Sequence, residues 1–158
     1  MRLPVLIEKP LTGATEWAER FALPLLLFGF RLYLFRIFFF SGLVKAKKPF
    51  PDLVDDFKSL YFYGHDHLPT AFLAAAGMVN ELGCGALLLI GFFARVATLP
   101  LFVSTLIIQF VARNEYGGDY YTIDHYGWML ALALIFFAGP GPISLDRLIH
   151  KRLAGNKG

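Results

Sequence analysis

Residues 71–95 constrain this chain most, and they read for much of their length AAAGMVNELGCGALLLIGFFAR. More than twenty nearly continuous apolar or small residues suffice, at about 1.5 Å per helical residue, to cross a hydrocarbon core of about 30 Å. One acid, Glu81, sits in the middle beside Asn80. A carboxylate at that depth costs roughly 3 kcal/mol or more, so it normally faces a partner or a cavity. Its neighbours at helical spacing are small, with Gly77 before it and Cys84 and Gly85 after it. Small residues one turn apart let a second helix approach closely in lipid. The spacing therefore predicts that Glu81 lies on a helix–helix seam, and any function must account for it.

Composition agrees with a membrane assignment. The 158 residues are 56% hydrophobic and only 17% charged, where the surface of a small soluble domain needs about a quarter charged residues. The net charge is only +3, and a basic balance in such a chain reads as cytosolic anchoring, so no nucleic-acid partner is inferred. The single cysteine, Cys84, excludes an intramolecular disulfide and dithiol chemistry, and its thiol is expected to be buried and inert. Glu8, Glu16 and Glu19 precede the first apolar run, which is too long for a signal-peptide core, so that run is expected to remain in the mature protein.

The pattern predicts an all-α fold: one integral membrane domain over 1–158, built as a four-helix bundle with short interfacial amphipathic helices. The spans fall at about 21–43, 71–93, 96–112 and 123–139, the last ended by Gly139-Pro140-Gly141-Pro142. Surface helices are expected at 51–61, where Leu53, Val54, Phe57, Leu60 and Tyr61 oppose Asp52, Asp55, Asp56 and Lys58, and at 145–153, capped by Ser144. The basic tail and an even number of spans put both termini in the cytoplasm, although Lys45, Lys47 and Lys48 then lie outside, against the rule.

Polar groups inside the spans are the site candidates. Arg31 lies near the middle of the first span as Glu81 does in the second, and antiparallel neighbours then place the two at one depth. An Arg31–Glu81 ion pair follows. Arg36, about 7.5 Å further along and on another side, snorkels or reaches Glu81 from a second angle. Thr98, Thr105 and Gln109 share one face of the third span, and His125 stands at the mouth of the fourth beside Asp124. For each, packing and a ligand or proton role stay open. His65, Asp66 and His67 have the residue types of a metal site but only a weak spacing, with no third clustered ligand, and read as a solvated turn.

Three segments carry a resemblance. An Arg-containing apolar helix closes on Ser41-Gly42-Leu43-Val44-Lys45. Glu81-Leu82-Gly83-Cys84-Gly85 runs through Gly91 to Arg95. Gly139-Pro140-Gly141-Pro142-Ile143-Ser144-Leu145-Asp146 follows the last span. In this order they resemble the DoxX family of small bacterial four-helix membrane proteins, over about residues 25–146, with Lys45, Arg95 and Asp146 as motif residues. The resemblance implies the bacterial cytoplasmic (inner) membrane and a link to redox chemistry. Relatives include a subunit of a thiosulfate:quinone oxidoreductase and a partner of superoxide dismutase in thiol-stress defence. It supplies no catalytic residue.

Two function classes follow. In one, the bundle is a redox-linked subunit whose aromatic-lined slot near Arg31, Arg36, Glu81 and His125 takes a quinone, with a partner oxidoreductase carrying the redox centre. The chain itself has no haem, flavin or Fe–S motif. In the other it is a non-enzymatic scaffold, assembly factor, or passage for a small solute or metal. The small-residue faces allow a homodimer without requiring one.

Overall fold

The computed structural model describes residues 13, 15–61, 67–110 and 124–155, and they are helical apart from short turns. A π-helical turn, Ala18–Ala22, runs unbroken into α1, Leu23–Lys47. The short α2, Phe50–Asp56, continues as a second π-helical turn, Phe57–Tyr61. Then come α3 (Thr70–Ile90), α4 (Ala94–Phe110), α5 (Asp124–Ala138) and α6 (Leu145–Gly155). The expected loop 114–123, the end of the third span beyond Phe110, and His65 and Asp66 lie outside the described residues, as do the side chains of Leu60 and Tyr61.

Helix α1 packs along α3, α3 along α4, and α4 along α5. Their shared core is Leu34, Phe38, Leu88, Ala94, Leu101, Ala131, Leu132 and Ile135. The outside is apolar too: Leu130 is 73% and Phe137 78% exposed, and Leu25, Phe72, Val79 and Val103 also face outward. So much exposed hydrocarbon on every long helix is stable against lipid and not against water. The helices Thr15–Lys47 and Thr70–Ile90 are long and apolar enough to span, whereas α4 and α5 are shorter. This is a helical membrane bundle, as the sequence predicts.

Two details differ from expectation. The helix beginning at Phe50 does not lie free on a membrane surface. Leu53 and Phe57 are buried with Ala74 of α3, flanked by Leu68, Leu73 and Met78. Gly77 leaves the room, since a Cβ there would stand 3.1 Å from the Phe57 ring. By contrast α6 keeps Leu148, Ile149 and Leu153 exposed, with Ser144 Oγ accepting from the Arg147 N–H as its cap.

The second difference is register, and it decides the site. Helix α1 runs past Leu43 to Lys47, and Gly42 is the residue that meets the middle of α3. A Cβ on Gly42 would lie 2.9 Å from the backbone N of Leu82, so only glycine permits this approach. Arg31 is thereby carried to the far end of α3, beside Gly91, whose φ of 66° closes that helix in the left-handed region.

Candidate functional site

Because Gly42 sits against Glu81 and Leu82, the cation opposite Glu81 is Lys45, one turn further on. Its Nζ donates to both carboxylate oxygens, at 2.5 and 2.6 Å, and to Ser41 Oγ at 3.2 Å. The ammonium also stands 5.9 Å from the Phe57 ring centre. Both side chains are largely out of solvent, at 13% and 6% exposed. The expected Arg31–Glu81 pair is therefore corrected to Lys45–Glu81. Glu81 does lie on the helix seam, as its small neighbours predict.

Beside this pair is a cavity of 440 Å³ walled by the end of α1, Phe57, α3 and α4. Its lining is aliphatic, from Leu73, Ala76, Val103, Ile107 and Ile108, except for Lys45, Glu81, Asn80 and Ser104. Pro100 interrupts α4 here. Asn80 Nδ2 donates to the Pro100 carbonyl at 3.0 Å and to Ser104 Oγ at 2.8 Å. Its amide oxygen is buried and has no hydrogen-bond partner. A buried acceptor left unpaired costs about 1–3 kcal/mol, so this oxygen is open to a donor that enters the cavity. An apolar slot with a few convergent polar groups is the usual form of a small-molecule site.

The other candidates are elsewhere. Arg31, 1% exposed, donates through Nε to the Leu88 carbonyl at 2.7 Å and through Nη2 to that of Leu89 at 2.6 Å. Its Nη1 donates to the Pro140 carbonyl at 3.1 Å and to that of Ile143. Leu88 and Leu89 belong to the last turn of α3, at the negative end of the helix dipole, where Leu88 also accepts from the Gly91 N–H at 3.2 Å. Arg31 is the cap of α3 and the tie to the loop after α5. Asp146 is its complement: its carboxylate accepts from the Phe93 and Ala94 N–H groups, at 2.9 and 3.2 Å, at the start of α4. The Asp146 N–H in turn donates to the Gly91 carbonyl at 3.0 Å. A cation at a helix C-terminus and an anion at the next N-terminus clamp the turn between them, which includes Phe93 at a φ of 46°.

Arg36 is exposed on the outside of α1 and does not approach Glu81. Gln109 and His125 are both buried and paired, with His125 Nδ1–H donating to Gln109 Oε1 at 2.9 Å. The His125 ring packs edge-on against Trp128, with centroids 4.7 Å apart. Thr98 and Thr105 turn their hydroxyls onto the Arg95 and Leu101 carbonyls, the packing alternative of the sequence reading. Arg95 reaches the Phe137 carbonyl at 3.4 Å. The sequence candidates thus divide among three places, and a single slot joining Arg31, Arg36, Glu81 and His125 is not formed. Cys84 is half-buried, beside the core. Among the described residues no group of three or more His, Cys, Asp or Glu side chains could hold a metal; His67 is described and exposed.

Sequence reasoning missed three participants. Asn80 is named only as a neighbour of Glu81. Lys45 is named as a motif residue without its partner, although a lysine four residues after Ser41, still inside an apolar helix, was a signal. Asp146 caps a helix more than fifty residues away, and nothing local announces that.

The convergence has a simple form. Lys45 of the first motif, which also donates to Ser41, meets Glu81 of the second, and Arg31, Gly91 and Asp146 bring all three motifs together at the other end. A protein-family model described as DoxX matches residues 26–114. An uncharacterized membrane protein of Mycobacterium tuberculosis is 31% identical over 99 residues, covering 54% of this chain and 61% of its own. The present chain thus spans about three-fifths of the length of that relative. No solved structure matches the present chain. With the family model covering more than half of the sequence, including Arg31, Lys45, Glu81 and Arg95, the chain belongs to the DoxX family of membrane proteins.

Proposed function

We propose that this protein is a redox-linked subunit of the bacterial cytoplasmic membrane, and that its Lys45–Glu81–Asn80 cavity takes the headgroup of a quinone in its reduced, hydroxyl-bearing form. The observation that carries this is the unpaired, buried Asn80 oxygen beside a carboxylate in an otherwise aliphatic cavity. Both groups accept hydrogen bonds. Each of the three Lys45 N–H donors has an acceptor already. A ligand that brings two hydroxyl donors on an apolar ring satisfies this set, whereas one that brings only carbonyl oxygens does not.

When bound, a hydroquinone supplies two electrons and two protons on oxidation to the quinone. Asn80 Oδ1 orients one hydroxyl, and Glu81 accepts the hydrogen bond, and then the proton, of the other; the second proton leaves to a base of the partner oxidoreductase as the electrons pass to it. Lys45 holds the carboxylate in place, and Phe57 and the aliphatic walls exclude water. The electrons pass to a redox centre on a partner oxidoreductase, since this chain has no haem, flavin or Fe–S motif and a single cysteine. The bundle end that carries Arg20, Arg95, Arg147, Lys151 and Arg152 faces the cytoplasm in this reading, and the cavity lies toward the opposite face.

The test is retention of a short-tailed ubiquinol by the full chain in nanodiscs, read by native mass spectrometry against the matched ubiquinone. The expected result is retention of the quinol above the quinone, lost in Glu81→Gln while the bundle stays folded. Equal or absent retention of both by the wild type overturns the reading. The scaffold alternative draws on the completeness of the Lys45–Glu81 pair, and it expects Glu81→Gln to abolish folded protein.

A further inference from the structure

At the other end of the bundle a second opening has a different chemistry. It measures 870 Å³ and lies between the π-helical turn before α1, the start of α4, the loop after α5 and the first turns of α6. Its charged groups are Glu19, Arg95, Asp146 and Arg147, with the His150 imidazole beside them. Asp146 is committed, because both of its oxygens accept backbone N–H groups at the start of α4. Arg95 lies across Gly139, with Nη2 only 3.1 Å from where a Cβ of that residue would be, and its one backbone contact is long, at 3.4 Å. Arg147 and His150 are one turn apart on α6, so they share a face, and both are exposed. Buried Arg31 adds a further positive charge behind the Pro140–Ile143 loop. Glu19, on the opposite wall, is the opposing charge.

The remaining wall is hydrocarbon. Leu23, Phe93 and Val96 line the opening and are 40%, 58% and 60% exposed, so they continue onto the apolar exterior of the bundle. Next to it α6 carries an exposed apolar row, Leu148, Ile149 and Leu153, opposite Arg147 and Lys151, the pattern of a helix lying at a headgroup interface. A ligand matched to both halves has a phosphoryl anion and acyl chains. We propose that this cleft is a binding site for an anionic phospholipid, with the phosphate between Arg95, Arg147 and His150 and the chains descending over Leu23 and Val96.

The experiment titrates the purified full chain in detergent with phosphatidylglycerol and, separately, with phosphatidylcholine of the same acyl chains, and counts retained lipid by native mass spectrometry. The wild type retains phosphatidylglycerol preferentially. Arg147→Gln reduces that preference about fivefold, the size expected for one basic group near an anionic headgroup, whereas Arg147→Lys keeps most of it. Melting curves matching the wild type establish that each variant is folded, and His150→Gln gives a second, independent variant with a smaller loss in the same direction. Equal retention of the two lipids, or a preference unchanged in both Arg147→Gln and His150→Gln, overturns the proposal. So does displacement of the lipid by millimolar inorganic phosphate, which identifies a free-anion site instead.

Discussion

The α1–α3 seam carries two cations held largely out of solvent, and they are used in opposite ways. Arg31 spends its hydrogen bonds on four backbone carbonyls from two separate segments, so its cluster is closed. Lys45 is closed as well, but its partner Glu81 borders a cavity in which the Asn80 oxygen waits for a donor. Arginine suits the first place, because its planar fork serves several carbonyls at fixed directions. Lysine suits the second, because a point charge on a flexible stem can follow a carboxylate. A buried charge is therefore not in itself a functional site. What separates the two clusters is whether a polar group remains unsatisfied with space in front of it.

The largest test of this contrast is Arg31→Met. It leaves the carbonyls of Leu89, Pro140 and Ile143 without the Arg31 donor, while Leu88 keeps the Gly91 N–H, and each buried group so left costs about 1–3 kcal/mol. The expected outcome is a loss exceeding about 3 kcal/mol, read as a steep fall in the melting midpoint in detergent, with little folded protein recovered. A variant as stable as the wild type breaks the distinction between a closed and an open cluster.

Next in size is Glu81→Gln, which leaves the Lys45 ammonium without its counter-charge. Breaking a fully buried pair costs about 3–5 kcal/mol, and the value here falls below that range, leaving the bundle folded, because the ammonium is 13% exposed and keeps Ser41. The double replacement Lys45→Met with Glu81→Met sharpens the point. Removing both charges recovers most of the stability, as apolar replacement of buried pairs often does. Quinol retention stays lost. If the double variant both melts near the wild type and retains quinol, the pair has no part in binding.

Much of this arrangement was legible in the sequence, and the part that was not has a physical cause. The spans, the seam position of Glu81 and the stop at Gly139 follow from hydropathy, small-residue spacing and turn chemistry, all of which are local. The partner of Glu81 is not local. Placing midpoints of apolar runs at one depth assumes helices of equal length, but the first helix is continuous over Thr15–Lys47 while its neighbour is Thr70–Ile90. The longer helix overhangs the α3–α4 turn, and that overhang brings Arg31 to the end of α3 and Lys45 to its middle. The unpaired oxygen of Asn80 is still less readable, since it depends on Pro100 and Ser104 of α4 engaging the amide nitrogen and not the oxygen.

Asp146→Ala tests the closed cluster more gently. It removes a cap whose two oxygens serve the first N–H groups of α4, and such losses run to about 1–2 kcal/mol. The Gly91 carbonyl keeps its bond from the residue 146 N–H, so the turn survives. The melting midpoint falls by less than in either variant above, and quinol retention is unchanged because the cap lies at the other end of the seam. A loss of retention with Asp146→Ala would mean that the two clusters are coupled.

The smallest effect on stability, and the sharpest on function, belongs to Asn80→Leu. Leucine is close to asparagine in size and fits a wall already made of Leu73, Val103 and Ile107. The substitution removes two hydrogen bonds from Nδ2, worth about 1 kcal/mol each, and removes an unpaired buried oxygen that costs about as much. These oppose one another, so the melting midpoint should stay within the equivalent of about 1 kcal/mol of the wild type. The pairing of Lys45 with Glu81 is untouched, and so is every bond of Arg31. Quinol retention, however, loses the acceptor that orients one hydroxyl and falls by about tenfold, the worth of one good hydrogen bond in an apolar site. If Asn80→Leu instead destabilises the bundle as strongly as Glu81→Gln, Asn80 is a structural tie between α3 and α4. The open cluster is then as closed as the one around Arg31.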